Sequence, residues 1–150
     1  MKIAVCSDEL YPVNRFVVEE LKKRGHEVVS FGAIKSGKEE PWPEVARSAA
    51  EAIVQGKCDE GIFFCWTGTG ISMAANKIPG IRAALCTDAE TARGARIWNH
   101  ANVLALSNRL TTPDLAKEIL AAWFETPFDE RGKAGVAMLS DIDSHFRRKK

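Results

Sequence analysis

Five short, almost uninterrupted apolar runs punctuate the chain: Ile3 to Cys6, Glu27 to Phe31, Gly61 to Cys65, Ile81 to Cys86 and Asn102 to Leu106. They lack the strict alternation of a half-exposed strand. That is the pattern of strands covered on both faces, so they predict a parallel sheet. Helical patterns lie between them and after them, over Val13 to Arg24, Glu44 to Gln55, Gly70 to Lys77, Asp88 to Trp98 and Pro113 to Phe124. Gly25 closes the first helix and Pro43 opens the second. Thr112-Pro113-Asp114 supplies an N-cap, a first-turn proline and an acid at the positive helix end. The polar segment Ile34 to Trp42 predicts a loop, and Glu125 to Arg131 leads into a final helix.

Strands alternating with helices predict an α/β fold: a doubly wound five-stranded parallel sheet of Rossmann-like or flavodoxin-like order, with helices on both faces and a C-terminal helix. Residues 1–150 read as a single domain, with 132–150 forming that helix and a basic tail. Such sheets bind ligands beyond the carboxyl ends of their strands. Three loops there carry polar residues: Ser7-Asp8-Glu9, Trp66 to Ser72, and Ser107-Asn108-Arg109.

Composition narrows the partner. Of 150 residues 45% are apolar, enough for one core, and 21 basic against 20 acidic residues leave a formal charge of +1. No global field attracts nucleic acid or an acidic membrane, so the expected partner is a small molecule. The run Arg147-Arg148-Lys149-Lys150 reads as a solvated chain end. The apolar stretch before Asp8 is too short for a signal peptide and no later run approaches a membrane span, which predicts a cytoplasmic location. Cys6, Cys58, Cys65 and Cys86 form no C-x-x-C pair, and His26, His100 and His145 make no ligand pair on a helix. Free thiols and no metal are expected.

The chemistry concentrates after the third strand. Trp66-Thr67-Gly68-Thr69-Gly70-Ile71-Ser72 is a glycine-containing turn running straight into a helix, where exposed amides favour an anion or developing oxyanion. It is neither a P-loop nor a dinucleotide fingerprint. By spacing alone it is either such a cradle or an ordinary strand-to-helix turn. Cys65, at its mouth, is either an activated base or nucleophile or a core cysteine. Asp8 is either a hydroxyl-binding carboxylate or a helix cap.

Taken in order, Asp8 after the first strand, Cys65 to Ser72, Ala75-Asn76-Lys77, Gly80 to Ala84 and Asn99 to Ala105 resemble the ribose-5-phosphate isomerase B and galactose-6-phosphate isomerase family. The resemblance implies aldose–ketose interconversion of a sugar phosphate through an enediolate, without metal or organic cofactor. It implies that Cys65 transfers the proton with Thr67 as hydroxyl partner, that the amides around Gly68, Thr69 and Gly70 cradle the enediolate oxygen, and that Ser72 belongs to the substrate-binding set. It further implies that Asp8 contacts a substrate hydroxyl, Asn99 lies near the reacting carbonyl, and Arg109 holds phosphate. The resemblance also implies a homodimer or dimer of dimers, since the family usually forms dimers with active sites shared between subunits.

Departures are equally informative. Glu9 stands where the family usually has a histidine, and brings an acid that would repel phosphate. Trp98 stands where most members carry the ring-opening histidine; His100 is a candidate replacement, although an i to i+2 step changes helix face. The late phosphate clamp is reduced to Arg131 and Lys133. An intact proton-transfer loop with altered surroundings implies a substrate other than ribose 5-phosphate, such as an open-chain sugar phosphate. The alternative is a sugar-phosphate-binding protein that has lost turnover.

Overall fold

The computed structural model describes residues 1–147. Five parallel strands, β1 (Lys2–Ser7), β2 (Glu27–Gly32), β3 (Glu60–Cys65), β4 (Ala83–Leu85) and β5 (Val103–Ser107), form one sheet in the order β2-β1-β3-β5-β4. The β2-β1-β3 half follows the flavodoxin-like order; beyond it β5, not β4, takes the place beside β3, and β4 becomes an edge. Helices α1 (Pro12–Lys23), α2 (Ala33–Ser36), α3 (Trp42–Val54), α4 (Thr69–Ala75), α5 (Ala89–Asn99), α6 (Pro113–Glu125) and α7 (Lys133–Arg147) complete the described chain, with a 3-10 turn at Glu130–Gly132. Arg148, Lys149 and Lys150 of the basic run lie outside the described residues.

The continuous apolar strands are explained by their two covered faces. Ile3, Val5, Ile62, Phe64, Leu104 and Leu106 pack with α1, α5 and α6 around the fully buried Trp123. Their neighbours Ala4, Cys6, Phe63, Cys65, Val103 and Ala105 pack with Val45, Ala49 and Ile53 of α3 and Ile71 and Ala75 of α4. Small alanines on α3 let it lie close to the sheet, and Cys65 therefore faces the α3–α4 side.

Two segments differ from the sequence expectation. Of the run Ile81 to Cys86 only Ala83–Leu85 is regular strand, although the Arg82 carbonyl and the Cys86 amide still bond the β5 backbone. At its entrance side chains take part, as Asn76 brackets Ala83 with two hydrogen bonds (2.9 and 2.7 Å) and Asn102 accepts from the Arg82 amide at 2.8 Å. The segment expected as a loop begins with one helical turn, α2, ended by Gly37 in the left-handed region, before extended chain leads to α3. Among the described residues no helix is long and apolar enough to cross a membrane.

Candidate active site

The carboxyl ends of β1, β3 and β5 lie side by side, with Ser7 opposite Phe64 and Cys65 opposite Ser107. The three polar loops are consequently neighbours. Cys65 is 5% exposed, and the Ile71 amide donates to its sulfur at 3.4 Å, so the first turn of α4 fixes where the thiol points. Ahead of it, the Thr67 and Thr69 hydroxyls share a hydrogen bond of 2.7 Å on the exposed side of the loop. The first-turn amides of Thr69 and Gly70 have no carbonyl partner within α4. Because α4 has seven residues, any attraction for an anion rests on these amides rather than on a long helix dipole. Ser72 is half-buried on α4, and its amide donates to the Gly68 carbonyl at 3.3 Å.

Gly68 caps α4 with φ +79°, and a β-carbon there would stand 2.5 Å from Leu85 Cδ1 and 3.0 Å from the Leu106 carbonyl carbon. Both the backbone and the space demand glycine. Gly68→Ala is expected to destabilise the protein by about 2 kcal/mol, read as a lowered urea midpoint at unchanged slope; an unaltered midpoint would contradict this packing. Gly70 is crowded differently: the Trp42 ring lies 3.2 Å from where its β-carbon would be.

The loop after β5 grips this backbone. The Asn108 amide donates to the Cys65 carbonyl (2.9 Å), and the Arg109 amide and Ser107 hydroxyl both donate to the Trp66 carbonyl (3.0 and 2.9 Å). The Arg109 side chain is exposed at the same sheet end. On the β1 side, Asp8 lines a cleft of 350 Å³ with Glu39, Glu40, Pro41 and Trp42. Burial, with Glu9 and Glu39 nearby, raises the Asp8 carboxyl above the usual range, against the pull of backbone amides. Glu9 accepts from the Tyr11 hydroxyl at 2.7 Å, and the Tyr11 and Trp66 rings lie 5.5 Å apart.

The other thiols are poorly suited to proton transfer. Burial pushes Cys6 and Cys58 up and Cys86 to about 12, so all three remain protonated near neutral pH.

Asn99, His100 and Arg131 stand elsewhere. The chain passes from α5 directly into the start of β5, so they occupy the amino-terminal edge of the sheet. The four residue steps of β5 put them about 13 Å from the level of Cys65. The His100 ring is engaged in holding the chain: Nε2 lies 2.7 Å from the Asp129 carbonyl oxygen, and the ring stacks on Phe128 at 4.7 Å. Arg131 forms a forked pair with Asp129 (2.9 and 3.0 Å), which holds that carboxyl down at about 2, and its guanidinium covers the exposed Trp98 ring at 5.1 Å. Trp98 and Asn99 line a groove of 880 Å³ beneath α7, whose Met138, Leu139, Ile142 and Phe146 are exposed.

Tyr11 and Asn14, which no local pattern marks, belong to the polar network under the loops. Their only sequence signal is proximity to the Ser7-Asp8-Glu9 loop.

A family model described as Ribose/Galactose Isomerase matches residues 3–139. The D-erythrulose-4-phosphate isomerase of Pectobacterium atrosepticum is 38% identical over 135 residues, spanning 89% of each chain. Ribose-5-phosphate isomerase B of Escherichia coli is 38% identical over 129 residues, spanning 85% of this chain and 86% of that one. The solved structure of Clostridium thermocellum ribose-5-phosphate isomerase B superimposes with a TM-score of 0.91 at 42% identity, covering 97% of this chain and 99% of its own.

Proposed function

The chain belongs to the ribose/galactose isomerase family and is a sugar-phosphate isomerase, and from that premise we propose that Cys65 moves the proton between C1 and C2 of its substrate. The carrying observation is the Cys65 sulfur, fixed by the Ile71 amide at the end of β3, one strand from Asp8 and behind the Thr67–Thr69 hydroxyl pair. As thiolate, Cys65 takes the proton from C2 of an aldose; the electron pair moves toward the C1 carbonyl and leaves an enediolate. The thiol then returns the proton to C1 to give the ketose. Thr67 passes a proton between the two oxygens, while the Thr69 and Gly70 amides face charge that exists only along the path. Asp8 accepts from a substrate hydroxyl.

One chain does not complete this site. Asn99 and Arg131 lie at the opposite sheet edge, so they serve Cys65 only from a second copy. The exposed apolar face of α7 and the groove beneath it suit an interface between two such copies. We therefore read residues 1–150 as a single domain working in the cytoplasm as a homodimer, or dimer of dimers, with shared active sites.

The substrate we propose is an open-chain sugar phosphate, with D-erythrulose 4-phosphate, named for the Pectobacterium relative, as first candidate. A tetrose phosphorylated on O4 has no free hydroxyl able to close a five- or six-membered ring, so it needs no ring-opening base where Trp98 stands. Glu9 disfavours phosphate beside Asp8, which leaves phosphate to Arg109 and the second copy's Arg131. Proton NMR with tetrose, pentose and hexose phosphates tests both levels. Turnover of the tetrose phosphate at a kcat/KM about tenfold or more above ribose 5-phosphate is expected. Preferred turnover of ribose 5-phosphate would overturn the substrate assignment, and no turnover of any sugar phosphate would overturn the Cys65 reading.

A further inference from the structure

Asn108 stands where the three loops meet. Its backbone amide holds the Cys65 carbonyl, as described above. Its side chain spans the rest: Nδ2 donates to Ser7 Oγ at 3.1 Å, and Oδ1 accepts from Asn14 Nδ2 at 2.8 Å. The Ser7 hydroxyl in turn donates to the Glu9 carbonyl, closing the turn that carries Asp8. Asn14 is anchored through its Oδ1, which accepts from the Tyr11 amide at 2.8 Å.

The direction of every bond in this chain is forced. The Tyr11 amide can only donate, so the Asn14 oxygen faces it and the Asn14 NH2 faces Asn108. The Asn108 oxygen is thereby committed to Asn14 and its NH2 to Ser7, which leaves the Ser7 proton for the Glu9 carbonyl. Ser7, Asn14 and Asn108 are 0%, 1% and 8% exposed, and among the described residues no buried side-chain polar atom lacks a partner. A relay so enclosed has one arrangement, and a change at any member must be absorbed by the turn at its open end.

We infer that Asn108 is a positioning residue for the isomerisation: its backbone fixes the Cys65 carbonyl while its side chain, through Ser7, fixes the Asp8 turn, and so it sets the separation between the two. The inference rests on the roles proposed for Cys65 and Asp8. A substrate held by its hydroxyl at one group and deprotonated by the other reacts only where both distances are satisfied, and a misplacement of about 1 Å costs on the order of 100-fold.

Asn108→Asp tests the donor without changing the volume. A carboxylate keeps the Asn14 bond but cannot donate to Ser7, so Ser7 turns its proton toward residue 108 and releases the Glu9 carbonyl. The expected result is a kcat lower by about 10- to 100-fold, measured on fully folded protein. Ser7→Ala, the smaller lesion, is expected to lower kcat in the same direction, and the double variant to fall no further than the worse single one, because both act through one relay. A purely structural role would lower the unfolding midpoint and leave the kcat of the folded fraction unchanged. Crystal structures of parent and Asn108→Asp supply a readout independent of activity: the Asp8–Cys65 separation is expected to change in the variant. Unchanged separation, or kcat and KM within twofold of parent in both single variants, overturns the inference. If the parent turns over no sugar phosphate, the Cys65 reading fails while the measured separation still decides whether Asn108 positions the two groups.

Discussion

Cys65→Ala is expected to lower kcat by roughly 10²- to 10⁴-fold while KM moves little, because a positioned acid–base group contributes about that much and acts on the reacting carbon rather than on binding. Asp8, the α4 amides and Arg109 all stay in place when the sulfur is removed. The fold loses little: Cys65 is small, and the one bond lost is the Ile71 amide to sulfur, whose donor left unpaired costs about 1–3 kcal/mol. The variant thus remains folded enough to assay. The decisive measurement is incorporation of solvent deuterium at C1 or C2 of the sugar, followed by NMR. Parent protein should exchange and Cys65→Ala should not; undiminished exchange would move the proton transfer to another group. A parent that binds sugar phosphate without exchanging hydrogen would instead favour the binding-only alternative. Cys86→Ala is the control, since its thiol is held protonated by burial and is expected to keep parental kcat.

What the sequence discloses here follows the range of the interactions concerned. β1, β3 and β5 could be read because burial on both sheet faces leaves a local trace, a run of apolar residues with few interruptions, whereas the half-buried edges β2 and β4 were legible as short apolar runs between helical patterns. That the three polar loops share one end of the sheet was also legible, since loops after strands fall at the carboxyl edge by connectivity alone. The placement of Asn99 and His100 was available too: a crossover helix delivers the chain to the next strand's amino end, which sets both residues apart from Cys65. By contrast, the entrance of β4 is bound by the side chains of Asn76 and Asn102, and these bonds span 7 and 20 positions in sequence. Those asparagines belong to the family-like stretches, yet their side chains brace the sheet edge. The Asn14–Asn108 bond crosses 94 positions and leaves no periodic mark at either end. Nor could strand order at the far edge be read, because β4 and β5 are both apolar and exchange of their places alters no local pattern.

The largest expected stability effect comes from the opposite end of the sheet, with Arg96→Met. Arg96 on α5 donates to Glu60 at 2.7 Å, to the Ala101 carbonyl at 2.8 Å and to the Thr126 carbonyl at 3.2 Å. Its guanidinium lies 4.7 Å from the Trp123 ring centroid and 4.5 Å from that of Phe128, and Trp123 Nε1 donates to the other Glu60 oxygen at 2.8 Å. The ion pair is buried, its side chains 9% and 10% exposed. Removing the cation strands a carboxylate in the interior, which costs about 3–5 kcal/mol. At about 2–4 °C per kcal/mol for a chain of this size, the thermal midpoint should fall by roughly 10 °C. Pairing the change with Glu60→Leu removes the stranded charge and should recover much of the loss, even though Trp123 then lacks its acceptor. A midpoint within about 3 °C of parent for Arg96→Met alone would overturn the claim that the ion pair is needed to keep Glu60 buried. The consequence reaches function through geometry: Arg96 ties the end of α5 to Thr126, and that junction carries Trp98, Asn99 and the segment leading to Arg131. If a second copy borrows those groups, a loosened junction should raise KM for the sugar phosphate at temperatures where the fold is still intact, while the proton transfer proposed for Cys65, on the far edge of the sheet, keeps its kcat.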